Sequence, residues 1–120
     1  MPDIHVVLGG VVDLGAMYKV ARIKVTVNAT WEQQANIKLG GEGAPLVIAP
    51  IHGEGEGVVL HDKEYKHAFK QLEVAIRHQV LSLSIASKIR TSQKPGYVRF
   101  ESEDGVDVDW DDCIVEIWYR

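Results

Sequence analysis

The longest stretch of this 120-residue chain without glycine or proline contains residues 62–90, and it constrains the fold more than any other segment. Its apolar side chains recur at steps of three and four, the spacing of one face of an α-helix. They are Tyr65, Ala68, Phe69, Leu72, Ala75, Ile76 and Val80. A second stripe at the same interval is mainly basic and consists of Lys63, Lys66, Lys70, Glu73 and Arg77. We therefore predict one long amphipathic helix over about residues 62–90, with Asp62 as its N-cap.

The helical pattern weakens after Gln79. Leu81, Leu83 and Ile85 alternate with small residues, as they would in a strand. A helix that ends near Gln79 and is followed by a strand is therefore the alternative to a continuous helix. We favour the continuous helix because no turn residue separates the two halves.

The rest of the chain predicts about six to seven β-strands. The clearest runs from Tyr18 to Val27, where Ala21, Ile23, Val25 and Val27 alternate with polar residues. It is expected to form a hairpin with a strand at residues 35–39, with Trp31 near the turn. The predicted fold class is α+β, in which an antiparallel sheet is wrapped around or packed on the helix, and residues 1–120 form a single globular domain.

Residues 101–112 contain seven acidic side chains and no basic one. A three-residue loop, Glu103-Asp104-Gly105, would pair Phe100 with Val108 and Val98 with Trp110 in a hairpin whose solvent-exposed face is acidic. The acidic partner-binding residues predicted on this hairpin are Asp107, Asp109, Asp111 and Asp112.

A calcium loop is the alternative interpretation of this acidic run. Asp107, Asp109 and Asp111 match the first three carboxylates of an EF-hand loop. The match then fails, because Asp112 stands where the loop needs glycine and Trp118 where it needs a bidentate glutamate. No metal and no other cofactor are predicted.

Composition limits the partners and the compartment. The formal charge of −4 argues against nucleic acid, whose binding depends on neutralising phosphates. The N-terminal sequence has neither the basic start of a signal peptide nor an apolar run long enough to span a membrane. The single cysteine, Cys113, cannot form an intrachain disulfide, which is typical of a reducing compartment. We expect a cytoplasmic protein without a membrane partner.

No set of residues matches a known catalytic constellation. The chain has no Gly-x-Ser-x-Gly elbow, and Cys113 lies in a strand-like run without a histidine nearby in the sequence. The sequence favours a non-catalytic protein without excluding an enzyme.

The leading hypothesis is a small soluble binding module that acts through protein–protein contacts. It would be a homo-oligomer or an acidic, inhibitor-like partner of a basic protein, with Trp118, Tyr119 and Tyr97 as aromatic contact residues. The alternative is a small-molecule-binding protein or an enzyme. Its pocket would lie between the helix and the sheet and be lined by His67, His78 or Trp110.

Overall fold

The computed structural model describes residues 4–7, 10–41, 43–103 and 112–120, and all regular secondary structure in these ranges is β-strand. The strands are β1 (Ile4–Val7), β2 (Gly10–Gly40), β3 (Leu46–Val47), β4 (Ile51–Val80), β5 (Leu83–Ala86), β6 (Lys88–Lys94), β7 (Tyr97–Glu103) and β8 (Cys113–Tyr119). The predicted α+β class is therefore wrong, and the described part of the chain is all-β. No helix that is long and apolar enough to cross a membrane is found in these ranges.

The strands form one antiparallel sheet in the order β1-β6-β7-β8-β2-β4-β5, with β3 paired to β2. The two longest strands, β2 and β4, pair with each other along three stretches. Residues 10–13 of β2 pair with residues 71–74 of β4, residues 18–35 pair with residues 51–69, and residues 33–40 pair with residues 71–78. The sheet therefore curls into two layers, and both strands pass from one layer to the other at irregular points in their pairing.

The hydrophobic core lies between the two layers. The largest fully buried side chains come from both of them, and they include Ile23, Val25, Phe69, Phe100 and Ile117, together with Leu39, Leu72, Val74 and Ile76. The layers approach closely at Gly10, where an added Cβ would lie 3.0 Å from Cε1 of Phe100. Burial of these apolar surfaces is the main driving force for the fold.

The predicted helix over residues 62–90 is wrong, because β4 continues to Val80. Leu72, Val74, Ile76 and His78 are buried, whereas the residues between them are exposed or half-buried. This is the two-residue period of a strand with one face on the core. Leu72 and Ile76 are four residues apart, a spacing that fits both the two-residue period of a strand and the 3.6-residue period of a helix. This segment therefore also matched the pattern of an amphipathic helix.

The chain turns at Leu81 and Ser82, between β4 and β5. Leu81 has a φ of 57°, in the left-handed region where glycine or asparagine is usual. The sequence therefore carries no ordinary turn signal at this point. The alternative interpretation was right about a strand after residue 80, but it was wrong about the helix before it.

The alternating strand predicted from Tyr18 to Val27 is confirmed, since Ala21, Ile23, Val25 and Val27 are all fully buried. The predicted hairpin around Trp31 is wrong. Strand β2 runs continuously through this position and bends there, with its pairing to β4 broken between Ala29 and Gln33.

The predicted register of the acidic hairpin is wrong as well. Phe100 pairs with Val115 on one side and with Thr91 on the other, so it is not available to pair with Val108. Val98 likewise pairs with Ile117 rather than with Trp110. Strand β7 is thus a central strand of its layer, and residues 104–111 lie between it and β8 in the sequence.

Candidate functional site

An open cavity of about 490 Å³ lies where β2 and β4 bend from one layer to the other. It is lined by Asn28, Ala29, Thr30, Glu54, Gly55 and Glu56. Its volume is within the range of roughly 300–1,000 Å³ that is usual for small-molecule sites. The bend of β4 depends on glycine, because Gly55 and Gly57 have φ values of 127° and 67°.

Asn28 connects this cavity to the end of the neighbouring strand pair. Its side-chain Oδ1 accepts a hydrogen bond from the backbone N–H of Gly57 at 2.7 Å. Its own backbone N–H donates to the carbonyl oxygen of Asp112 at 3.0 Å. The side chain of Asn28 is therefore bonded to the bend of β4, and its backbone is bonded to the residue just before β8.

Two buried acidic residues follow Asn28 across the neighbouring strands of the sheet. Glu103, the last residue of β7, is 8% exposed, and Asp112, just before β8, is 7% exposed. The backbone N–H of Asp112 donates to the carbonyl of Ser102 at 3.3 Å, so the two acids occupy neighbouring positions on adjacent strands. Removing two like charges from water side by side is unfavourable unless positive charge or hydrogen-bond donors compensate them.

The segment between these two acids is rich in further carboxylates. Asp107, Asp109 and Asp111, predicted as acidic partner-binding residues, lie outside the described residues, as does Trp110. Among the residues that the structure does describe, no three His, Cys, Asp or Glu side chains are grouped closely enough to hold a metal ion. Carboxylate oxygens are the preferred ligands of hard divalent cations, so the buried pair and the acidic segment together have the right chemistry for one.

The three predicted aromatic contact residues do not form one surface. Trp118 and Tyr97 are half-buried neighbours on the outer face of the layer that contains β7 and β8, with ring centroids 5.3 Å apart. The guanidinium of Arg22 lies 4.8 Å from the centre of the Trp118 ring and covers it. Tyr119 points to the opposite face, where its ring packs edge-on against Tyr18 at 4.6 Å.

The structure does not bring together the residues of the alternative pocket either. The Nε2 atom of His67 is hydrogen-bonded to the carbonyl oxygen of Ala44 at 3.0 Å. His78 is 6% exposed, and its Nδ1 lies 2.7 Å from the hydroxyl of Ser87 in the core. With no helix in the described ranges, the predicted pocket between helix and sheet is absent from them.

Sequence reasoning missed the residues that line the cavity. The polar run from Asn28 to Thr30 indicates a turn when it is read locally, and the segment from Gly53 to Gly57 indicates a second one. The available signal was the alternation of glycine with Glu54 and Glu56, since glycine at every second position is typical of a strand that bends sharply or is closely approached.

The described part of the chain is all-β, and it carries a cavity of small-molecule size that is lined mainly by polar side chains. The sequence model of the family described as fucose-binding lectin II (PA-IIL) matches residues 12–120. The chain belongs to this family. No curated protein is significantly similar to it in sequence.

Solved structures share the fold. The Chromobacterium violaceum lectin CV2L, in complex with alpha-methyl-fucoside, has a TM-score of 0.71 at 25% identity, and the match covers 90% of this chain and 93% of that one. The Ralstonia solanacearum high-affinity mannose-binding lectin has a TM-score of 0.66 at 20% identity, with coverages of 90% and 93%. The C-terminal domain of the Burkholderia cenocepacia lectin BC2L-C has a TM-score of 0.62 at 18% identity, with coverages of 98% and 96%.

Membership of this family overturns the leading functional hypothesis of a module that acts through protein–protein contacts. The alternative, a protein that binds a small molecule, is better supported. The predicted location of the small-molecule pocket is wrong, because the cavity lies at the bend of two strands and not between a helix and a sheet.

Proposed function

We propose that this protein is a lectin that binds fucose, mannose or a closely related neutral sugar. The observation that carries the proposal is the open cavity at the bend of β2 and β4, where Asn28 is hydrogen-bonded to the backbone of Asp112 and so lies in line with the buried acids Asp112 and Glu103. The family description names fucose, CV2L was solved with alpha-methyl-fucoside, and the Ralstonia lectin is described as mannose-binding.

The lining of the cavity suits the hydroxyl groups of a sugar. Glu54 and Glu56 are exposed carboxylates that accept hydrogen bonds, and charged acceptors form the stronger class of such bonds. Ala29 and Gly55 have small or absent side chains, so a sugar ring can approach the backbone. The carboxylates also repel anions, which favours a neutral ligand over a sulfated or phosphorylated one.

Glu103 and Asp112, together with aspartates of the segment 104–111, would hold a hard divalent cation such as Ca²⁺. A cation held there would supply positive charge that offsets these carboxylates and a Lewis-acidic contact for sugar hydroxyls. The chain's own part is to supply the buried acids and to hold the amide of Asn28 next to them through its bonds to Gly57 and Asp112.

Isothermal titration with methyl α-fucoside and methyl α-mannoside, in calcium and then in excess EDTA, tests this proposal. We expect saturable binding of at least one glycoside in calcium and its loss in EDTA. A variant with Glu103→Gln and Asp112→Asn should also lose binding. The control Glu64→Gln, which changes an exposed carboxylate on another part of β4, should bind as the wild type does.

The proposal fails if neither these two glycosides nor an array of neutral glycans binds in the presence of calcium. It also fails if the double variant keeps full affinity. Circular dichroism and thermal melting of each variant separate a loss of binding from a loss of folding.

We also propose that the chain self-associates through β5 and not through Trp118, Tyr119 and Tyr97. All four residues of β5 are exposed, with Leu83 at 64% and Ile85 at 42%, and β5 is an edge of the sheet. An apolar edge can pair with the same edge of a second copy about a two-fold axis. Light scattering after size-exclusion chromatography should show that the wild type is a dimer. Leu83→Lys should convert it to a monomer, whereas the control Met17→Lys should leave the dimer intact. A monomeric wild type would refute the proposal.

A further inference from the structure

Trp31 is the next residue in the chain after the part of β2 that lines the candidate sugar site. It directly follows Thr30, which lines the cavity, and it lies at the bend of β2, between the pairs Ala29↔Gly55 and Gln33↔Gly53. It is 41% exposed, although Val27 and Ala35 on either side of the bend are buried in the core. The bend therefore turns this large aromatic side chain out of the core at the end of the molecule that holds the cavity.

The backbone beneath Trp31 is fixed from the inside. The Nε2 group of Gln33 donates a hydrogen bond to the carbonyl oxygen of Trp31 at 3.2 Å, and Gln33 is fully buried. A buried amide that bonds to the backbone holds the bend in place. Trp31 is therefore an exposed ring on a fixed strand and not part of a free loop.

The surroundings of Trp31 complement a neutral sugar. A pyranose has an apolar face of C–H groups, and the flat apolar face of an indole can bury it, while its hydroxyls point to the sides. Beyond Trp31 in the chain, the carboxylate of Glu32 lies 3.2 Å from Nδ1 of His52, and both of these hydrogen-bonding side chains are exposed. The cavity next to Thr30 is lined by amide, hydroxyl and carboxylate side chains, so the two surfaces offer different contacts to two different parts of one ligand.

Building on the proposed function, we infer that Trp31 forms a second subsite that stacks on the sugar linked to the one in the cavity. The ligand is then a neutral oligosaccharide of two or more units and not a free monosaccharide. The cavity binds the terminal sugar, and the indole binds the next sugar along the chain.

Titration calorimetry with matched probes tests the inference. The probes are methyl α-fucoside, methyl α-mannoside, and α-linked fucosyl and mannosyl disaccharides that carry the same sugar at the non-reducing end. We expect the wild type to bind the disaccharide roughly three- to tenfold more tightly than the matching methyl glycoside, which is the range of one aromatic stacking contact. Trp31→Ala should abolish this preference and leave the methyl glycoside within about twofold of its wild-type affinity.

Two further variants control the experiment. Trp31→Phe keeps an aromatic face and should retain most of the preference. Trp118→Ala removes a tryptophan from the outer face of the layer that contains β7 and β8, where it contacts Arg22 and Tyr97, and should change neither affinity.

The inference is overturned if Trp31→Ala keeps the preference for the disaccharide, or if it weakens both probes equally. It is overturned as well if the wild type shows no preference while still binding a methyl glycoside, a result that leaves the proposed function standing. If the wild type binds neither class of probe, the proposed function itself fails, and the inference fails with it.

Discussion

Replacement of Gly55 by alanine tests the bend that shapes the cavity. Gly55 has a φ of 127°, which residues with a Cβ rarely adopt, and such backbone strain costs about 1–3 kcal/mol. The new Cβ would lie 2.7 Å from Cγ2 of Val58, so that side chain must rotate at a further cost of about 0.5–1.5 kcal/mol. We expect Gly55→Ala to lower the free energy of unfolding by roughly 2–4 kcal/mol. For a domain of this size, that corresponds to a fall in Tm of about 10 °C.

Urea unfolding monitored by tryptophan fluorescence measures this change. Gly15→Ala is the matched control, since Gly15 also has a positive φ, of 75°, but a Cβ added there would meet no atom within 4 Å beyond its chain neighbours. It should cost only the backbone term, about 1–2 kcal/mol. Adding Val58→Ala to Gly55→Ala should recover the part due to the steric contact. If Gly55→Ala is no more destabilising than Gly15→Ala, the geometry described for the bend is wrong.

Three further predictions follow from burial and charge. Ile76→Asp should prevent folding, whereas the adjacent Ala75→Asp should be tolerated, because only Ile76 faces the core. Circular dichroism measures the folded fraction of each variant, and equal loss of structure in both would contradict the assignment of this segment to a strand. The hydrogen bond that Arg22 donates lowers the pKa of Asp62 below its ordinary value of 3.8. The ionised carboxylate therefore stabilises the folded protein fully above pH 3.8, and this stabilisation is lost as the pH falls through the lower pKa that Asp62 has in the folded state. NMR titration should show the pKa of Asp62 rising towards 3.8 in Arg22→Gln, and an unchanged pKa would exclude this cause. Burial raises the pKa of Cys113 to about 12, so a thiol reagent at mildly alkaline pH should modify it only after unfolding; rapid reaction of the folded protein would refute this.

The strands that could be predicted from the sequence are those whose two faces differ in polarity. Between Tyr18 and Val27, apolar and polar residues alternate strictly, and no helical stripe fits the same residues. In β4, apolar residues at positions 72 and 76 fit both periods, and nothing in the local sequence excludes a helix. The pairing with β2 on one side and with β2 and β5 on the other decides the structure, and this pairing is non-local.

The candidate site was predictable only in part. Local composition draws attention to the acidic segment, but the role predicted there for Asp107, Asp109 and Asp111 was contact with a protein partner, and these residues lie outside the described ranges. The cavity could not be found in this way, because Asn28 and Gly55 are far apart in the sequence and meet only where both long strands bend. Local reasoning also favoured protein contacts, since an acidic surface and exposed aromatic residues look alike whether the partner is a protein or a sugar.

Chemical-shift mapping tests the central claim most directly. Methyl α-fucoside and methyl α-mannoside are each added to the isotope-labelled protein in calcium, and backbone amide signals are followed. We predict that at least one glycoside shifts the signals of Asn28, Gly55 and Gly57 at the bend and leaves those of Tyr97 and Trp118 in place. Shifts confined to Tyr97 and Trp118, or no shifts with either glycoside, would contradict a sugar-binding site at the bend of β2 and β4.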